Sequence, residues 1–136
     1  MDEAFIKKVQ PNSPEAEQSV IGAMIMDRDA IADVVNADDF YQKQNGILFE
    51  AMTELYREGK PVDLVTLQNK LKKKDVPESM KSLEFIRDLL EAVPTSANAK
   101  QYAKIVSEKA TLRKLIKVTE DITTKCYLGK DDVTEI

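Results

Sequence analysis

Between Pro94 and Gly129 the chain carries neither glycine nor proline. The two residues that punctuate helices most strongly are thus missing for longer than any compact domain of ordinary size needs to span its own core. Pro94-Thr95-Ser96 supplies the start signal and Gly129 the stop signal of one long helix. On a helical wheel of about 100° per residue, Ala99, Tyr102, Ala103, Val106 and Ala110 fall on one side. Ile105, Leu112, Leu115, Ile116, Thr119, Ile122 and Cys126 gather on nearly the opposite side, and Lys109, Arg113 and Lys117 take over the direction that was apolar earlier. A helix buried by one body keeps one stripe, so a stripe that changes sides implies two neighbours. The first half is expected to lie on a helical body. The second half is expected to project and cover its apolar side with another helix, from this chain or from a second copy.

The rest of the chain supplies that body. At 136 residues it has the size of one domain that buries a core without disulfides. Apolar residues make up 43%, charged residues 32%, and glycine and proline together only nine positions. Such a composition belongs to a folded globular protein, and the scarcity of helix breakers favours an all-α fold. Residues 1–10 show no period and read as an arm, and residues 11–95 as the globular helical body. Residues 96–128 form the long helix shared by body and hairpin. Residues 129–136 read as a turn and the first residues of one more helix, capped by Asp131 or Asp132. We expect the sequence to be a piece of a longer protein, ending inside a helical hairpin.

Within the body, Ser13-Pro14 and the acids Glu15 and Glu17 mark a helix start. This helix runs through Val20-Ile21-Gly22-Ala23-Met24-Ile25-Met26, apolar on every side, with Gly22 suited to the close approach of a neighbour. A short helix with Ile31, Val34 and Val35 is expected next, then a turn at Asp38-Asp39 that delivers Phe40 and Tyr41 to the core. Leu48, Ala51, Met52 and Leu55 set the inner stripe of a helix from about Gln44 to Glu58, stopped at Gly59-Lys60-Pro61. Asp63 caps a helix that buries Leu64, Leu67 and Leu71 and ends among Lys70, Lys72, Lys73 and Lys74, a cluster that is either a nucleic-acid patch or, on the reading preferred here, cations favoured by the helix dipole. A last body helix carries Leu83, Ile86, Leu89 and Leu90.

Several chemistries are excluded. The chain has no histidine and a single cysteine, which removes the commonest general base and metal ligand and any internal disulfide. No phosphate-cradling glycine loop occurs, and no nucleophile has a base beside it. The acids Glu15 and Glu17, or Asp38 and Asp39, are accounted for by helix-start and turn chemistry. No catalytic, cofactor-binding or metal residue is therefore assigned, and the chain by itself is not expected to be an enzyme. The longest apolar run, Val20–Met26, is seven residues where a membrane span needs about twenty, and no signal-like start precedes it. We expect a cytoplasmic protein without membrane contact.

Charge is uneven: residues 1–91 hold 18 acidic and 12 basic side chains, net −6, and residues 92–136 hold 6 and 8, net +2. The basic strip Lys100, Lys104, Lys109, Arg113, Lys114 and Lys117 is either a solvated face or a docking surface for an acidic partner or for phosphates. On the last reading the chain would be a small helical nucleic-acid-binding regulator. Tyr102 and Tyr127 are either core aromatics or stacking platforms.

Read in order, SPEAEQSVIGAMI, DDFY followed by ILFEAM, GKPVDLVTL, and VPTSANAKQYAKIVSEKATLRKLI resemble the N-terminal domain of bacterial DnaB-type replicative DNA helicases. The resemblance runs from about Pro11 to Ile122. It departs at Asn45, where that family usually has histidine, and at Lys81-Ser82, where it has two glycines. The resemblance implies an all-helical domain in which a body is followed by a helical hairpin. Domains pair through the hairpin, and three pairs form a collar on a hexameric ring. It further implies a non-catalytic role in ring assembly and in recruiting primase and a helicase loader. ATP, magnesium and DNA would be handled by a separate motor domain outside this sequence, in a bacterial cytoplasm. By residue, the expected self-association face is Ile105, Leu112, Leu115, Ile116, Thr119 and Ile122, and the partner-binding strip is Lys109, Arg113, Lys114 and Lys117.

Overall fold

The structure, a computed structural model, describes residues 9–26, 35–91 and 98–136. Among them run five α-helices: α1 (Pro14–Met26), α2 (Lys43–Arg57), α3 (Leu64–Lys72), α4 (Leu83–Glu91) and α5 (Ala99–Leu128). Short 3-10 turns lie at Ala37–Asp39, Glu78–Lys81 and Val133–Glu135. No strand occurs among the described residues, so the fold is all-α. The expected helix around Ile31 and Val34 and the Pro94 start of the long helix lie outside the described residues, as do the side chains of Leu89 and Leu90.

Local chemistry explains most boundaries. The Ser13 hydroxyl accepts from the Ala16 N–H at 3.3 Å, capping α1. Helix α2 closes with Gly59 at φ 73°, while Lys60 N–H donates to the Leu55 carbonyl at 3.0 Å, the longer-range closing bond of a left-handed helix end. Asp63 opens α3 through a reciprocal pair: its carboxylate accepts from Thr66 N–H, and the Thr66 hydroxyl accepts from Asp63 N–H, both at 2.9 Å. Replacing Asp63 by alanine should lower stability by about 1 kcal/mol, read as a shifted urea midpoint with an unchanged slope. Gly129, at φ 62°, ends α5 as its spacing indicates. The final turn is opened by Asp132, whose carboxylate accepts from Thr134 N–H at 3.2 Å.

Among the described residues the core is one cluster. Val20, Ile21 and Met24 of α1 meet Leu48, Met52 and Leu55 of α2, Leu67 and Leu71 of α3, Ile86 of α4, and Ala99, Ala103 and Val106 of α5. Helix α1 sits at the centre, packed against α2, α4 and α5, and its residues 20–24, apolar on every side, are accordingly all buried. Of the two aromatics expected in the core only Phe40 arrives, tilted against Phe49 with ring centroids 5.2 Å apart. Tyr41 stays at the surface, under an arginine described below. Tyr102 is half-buried against the core, as an aromatic on the inner stripe should be. No helix among the described residues is long and apolar enough to cross a membrane.

Candidate interaction face of the long helix

Helix α5 runs unbroken for 30 residues through the point at which its apolar stripe changes sides. Ala99, Ala103, Val106 and Ala110 are buried. Beyond Ala110 burial almost ceases: Leu112, Leu115, Val118 and Ile122 are 44, 56, 52 and 43% exposed. Ile116 is half-buried, and Thr119 and Cys126 are exposed. Val118, at the edge of this face, is absent from the sequence expectation although a slightly wider arc of the wheel includes it. Ile105 needs correcting. Expected on the outer face, it packs against the body's core, because at its level along α5 the body still wraps the helix. The unpartnered face therefore begins at Leu112. Its threonines do not leave hydroxyls stranded: Thr119 donates to the Ile116 carbonyl and Thr123 to the Thr119 carbonyl, each at 2.8 Å.

The basic strip is less available than the sequence suggests. Arg113 donates to the carbonyls of Pro11 at 2.8 Å and Asp39 at 2.6 Å, and its guanidinium lies over the Tyr41 ring, 5.4 Å from the centroid. A side chain engaged in this way belongs to the fold, so Arg113 is withdrawn from the partner-binding strip. Lys114, itself exposed, reaches the buried Asp39 carboxylate at 3.7 Å, and Lys117 reaches Asp121 at the surface at 3.9 Å, both long pairs. Lys109 is half-buried, while Lys100 and Lys104 are exposed.

The lysines at the end of α3 are similarly occupied. Lys70 bridges Glu58 and Glu54, and Lys74 reaches Glu54 at 2.9 Å. Hydrogen bonding from Lys74 holds the Glu54 carboxyl below its ordinary value of 4.5, and bonding from Lys70 does the same for Glu58. A depressed carboxylate contributes stability above its unfolded value and loses it as the pH falls through the lower folded one. Melting temperature should thus decline below about pH 4.5, and Glu54→Gln should flatten that acid limb. A limb of unchanged steepness would show that this pair is inert.

Two buried acids that the sequence presents as helix-start and turn residues do more. Asp39 accepts from Asn36 N–H at 2.9 Å and so closes the 3-10 turn. Glu17, buried one turn into α1, accepts from the N–H groups of Tyr41 at 2.8 Å and Gln42 at 3.2 Å and from the Asn45 side-chain amide at 3.1 Å. Its charge therefore sits against the first turn of α2, where the dipole favours an anion. The remaining Asn45 oxygen has no partner. No group of three or more metal-binding side chains occurs among the described residues.

The model of the DnaB-like helicase N terminal domain family matches residues 9–108. The chain belongs to this family. It is 36% identical over 136 residues to the replicative DNA helicase DnaB of Geobacillus stearothermophilus, covering 98% of this chain and 30% of that protein. It is 38% identical over 125 residues to the DnaB of Pasteurella multocida, covering 90% of this chain and 27% of that one. The chain thus spans about three-tenths of the length of these DnaB relatives. In three dimensions it superposes on the crystal structure of the N-terminal domain of DnaB helicase from Mycobacterium tuberculosis with a TM-score of 0.83 and 37% identity, covering 93% of this chain and 91% of that one. The N-terminal domain of the Helicobacter pylori DnaB helicase, described with its interactions with primase, shares the fold at a TM-score of 0.69 and 23% identity. The DnaB family match ends at residue 108, just before the apolar stripe leaves the body.

Proposed function

We propose that this chain is the non-catalytic N-terminal domain of an ATP-dependent replicative helicase and serves as an assembly and recruitment module. Two copies pair through the outer face of α5, such pairs build the collar of a hexameric ring, and the collar receives primase and a helicase loader in the bacterial cytoplasm. Unwinding, with its ATP, magnesium and DNA contacts, belongs to the part of the relatives that this chain does not span. The single observation that carries the pairing is the apolar face of Leu112, Leu115, Ile116, Val118 and Ile122, left without a partner on a helix whose other half is core. At about 0.8 kcal/mol per buried methylene these side chains supply several kcal/mol, enough for a weak to moderate dimer once the entropy of association is subtracted. Primase recruitment is supported by the fold shared with the Helicobacter pylori domain and by membership of the family.

Sedimentation velocity tests the pairing. Leu115→Asp combined with Ile116→Asp should weaken self-association at least tenfold, about 1.4 kcal/mol, without changing the melting temperature by more than a few degrees. Unchanged association would remove this face from consideration. Mixing the chain with a primase C-terminal domain at high micromolar concentration tests the second part, and the absence of a complex would count against it.

A further inference from the structure

Helix α5 is seated on small side chains. Three of the four it buries are alanines, Ala99, Ala103 and Ala110, and α1, which packs against it, also buries Ala16 and Ala23. Side chains that end at Cβ raise shallow ridges, so such a seat interlocks weakly and resists rotation of the helix less than a leucine-lined one would. Something else must then fix the direction of α5. Among the described residues, its polar contacts with the body come from Arg113 and its neighbour Lys114 alone. Lys114 is 70% exposed and its pair is long.

Arg113 differs in kind. It lies one turn beyond Ala110, the last buried residue of α5. Its two terminal nitrogens donate to carbonyls far apart in sequence, Pro11 ahead of α1 and Asp39 at the end of the 3-10 turn, and its plane rests on Tyr41. The guanidinium thereby joins two body segments, the one ahead of α1 and the stretch that carries Asp39 and Tyr41, to the helix at the point where the body ends. We propose that Arg113 is a pin that sets the angle of the projecting half of α5, and that without it the helix pivots on its alanine seat. The projecting half, residues 111–128, is about 27 Å long at 1.5 Å per residue, so a pivot of about 10° displaces its tip by roughly 5 Å. Lysine cannot substitute: a single ammonium on a flexible stem lacks the planar fork that reaches two carbonyls and stacks on a ring. The proposal concerns one chain, and it holds or fails independently of whether α5 pairs.

Pulsed electron paramagnetic resonance reads the angle directly. Cys126 is the single native thiol and is exposed near the tip, and Val65→Cys places a second label on the exposed side of α3. The doubly labelled chain is diluted into a tenfold excess of unlabelled chain, so that distances between copies are suppressed. The parent should give one narrow distance distribution, and Lys114→Gln should keep it. Arg113→Met and Arg113→Lys should each broaden or shift it by about 5 Å, with helicity and melting temperature held within a few degrees. A distribution of parental width at the parental distance in either arginine variant overturns the pin. So does collapse of the body's cooperative melting, which would make the guanidinium a support of the body's own fold.

Discussion

Glu17→Leu should be the most damaging single substitution in the body, lowering stability by about 4 kcal/mol and the melting temperature by roughly 15 °C. The carboxylate accepts three hydrogen bonds in a site closed to water. Leucine fills a similar volume but strands the N–H groups of Tyr41 and Gln42 and the Asn45 amide, each at the desolvation cost of an unmet donor. Glu17→Gln retains one acceptor oxygen and should cost about half as much. Combining Glu17→Leu with Asn45→Leu should cost less than the sum of the two, because the stranded amide disappears with its partner. Urea unfolding of the parent, the two single leucine variants and the double variant measures this. A Glu17→Leu penalty under about 1 kcal/mol would show that water replaces the carboxylate.

Gly46→Val should cost about 3 kcal/mol. A Cβ at this position would stand 2.8 Å from the Ala37 carbonyl oxygen, with the Phe40 Cβ at 3.9 Å. The obstacle is backbone of the 3-10 turn, itself closed by the Asp39 carboxylate, so it cannot swing aside as a flexible side chain would. Gly46→Ala meets the same oxygen, but alanine's better helix propensity, worth about 1 kcal/mol, offsets part of the clash. Denaturation midpoints should therefore fall from the parent through Gly46→Ala to Gly46→Val. A Gly46→Ala protein more stable than the parent would mean that the turn and α2 separate freely.

The contrast between Gly46 and Gly59 shows what the sequence could disclose. Gly59, Ser13, Asp63 and Gly129 act on groups within five residues of themselves, so their neighbours in the sequence are their partners in the fold. The helices and the side-switching stripe of α5 were legible for the same reason, since periodicity is a local property. Gly46 meets a turn nine residues earlier, and nothing in its surroundings announces that. Glu17 had a sufficient local explanation in the helix dipole, and its true partners lie 24 to 28 residues away. Lys70 and Lys74 likewise fit a helix end, yet they are held by Glu54 of α2 and by Glu58 just past its end. Arg113 is the extreme case, with acceptors 74 and 102 residues distant. On a charge plot it belongs with its lysine neighbours, and only the chain's path separates it from them. The outer face of α5 was legible as unpartnered from Leu112 onward, but how far the body extends along the helix, and so the fate of Ile105, was not.

The continuity of α5 ties the arm's existence to the health of the body. A lone segment the size of residues 111–128 is a marginal helix in water, because starting a helix is costly while extending one is nearly free. Here the start is made once, on the alanine seat, and the projecting turns are extended from it. A chain whose body is damaged or unfinished thus loses the template for its arm and has no ordered apolar face to offer. On the pairing proposed above, only a properly folded copy is equipped to recruit another.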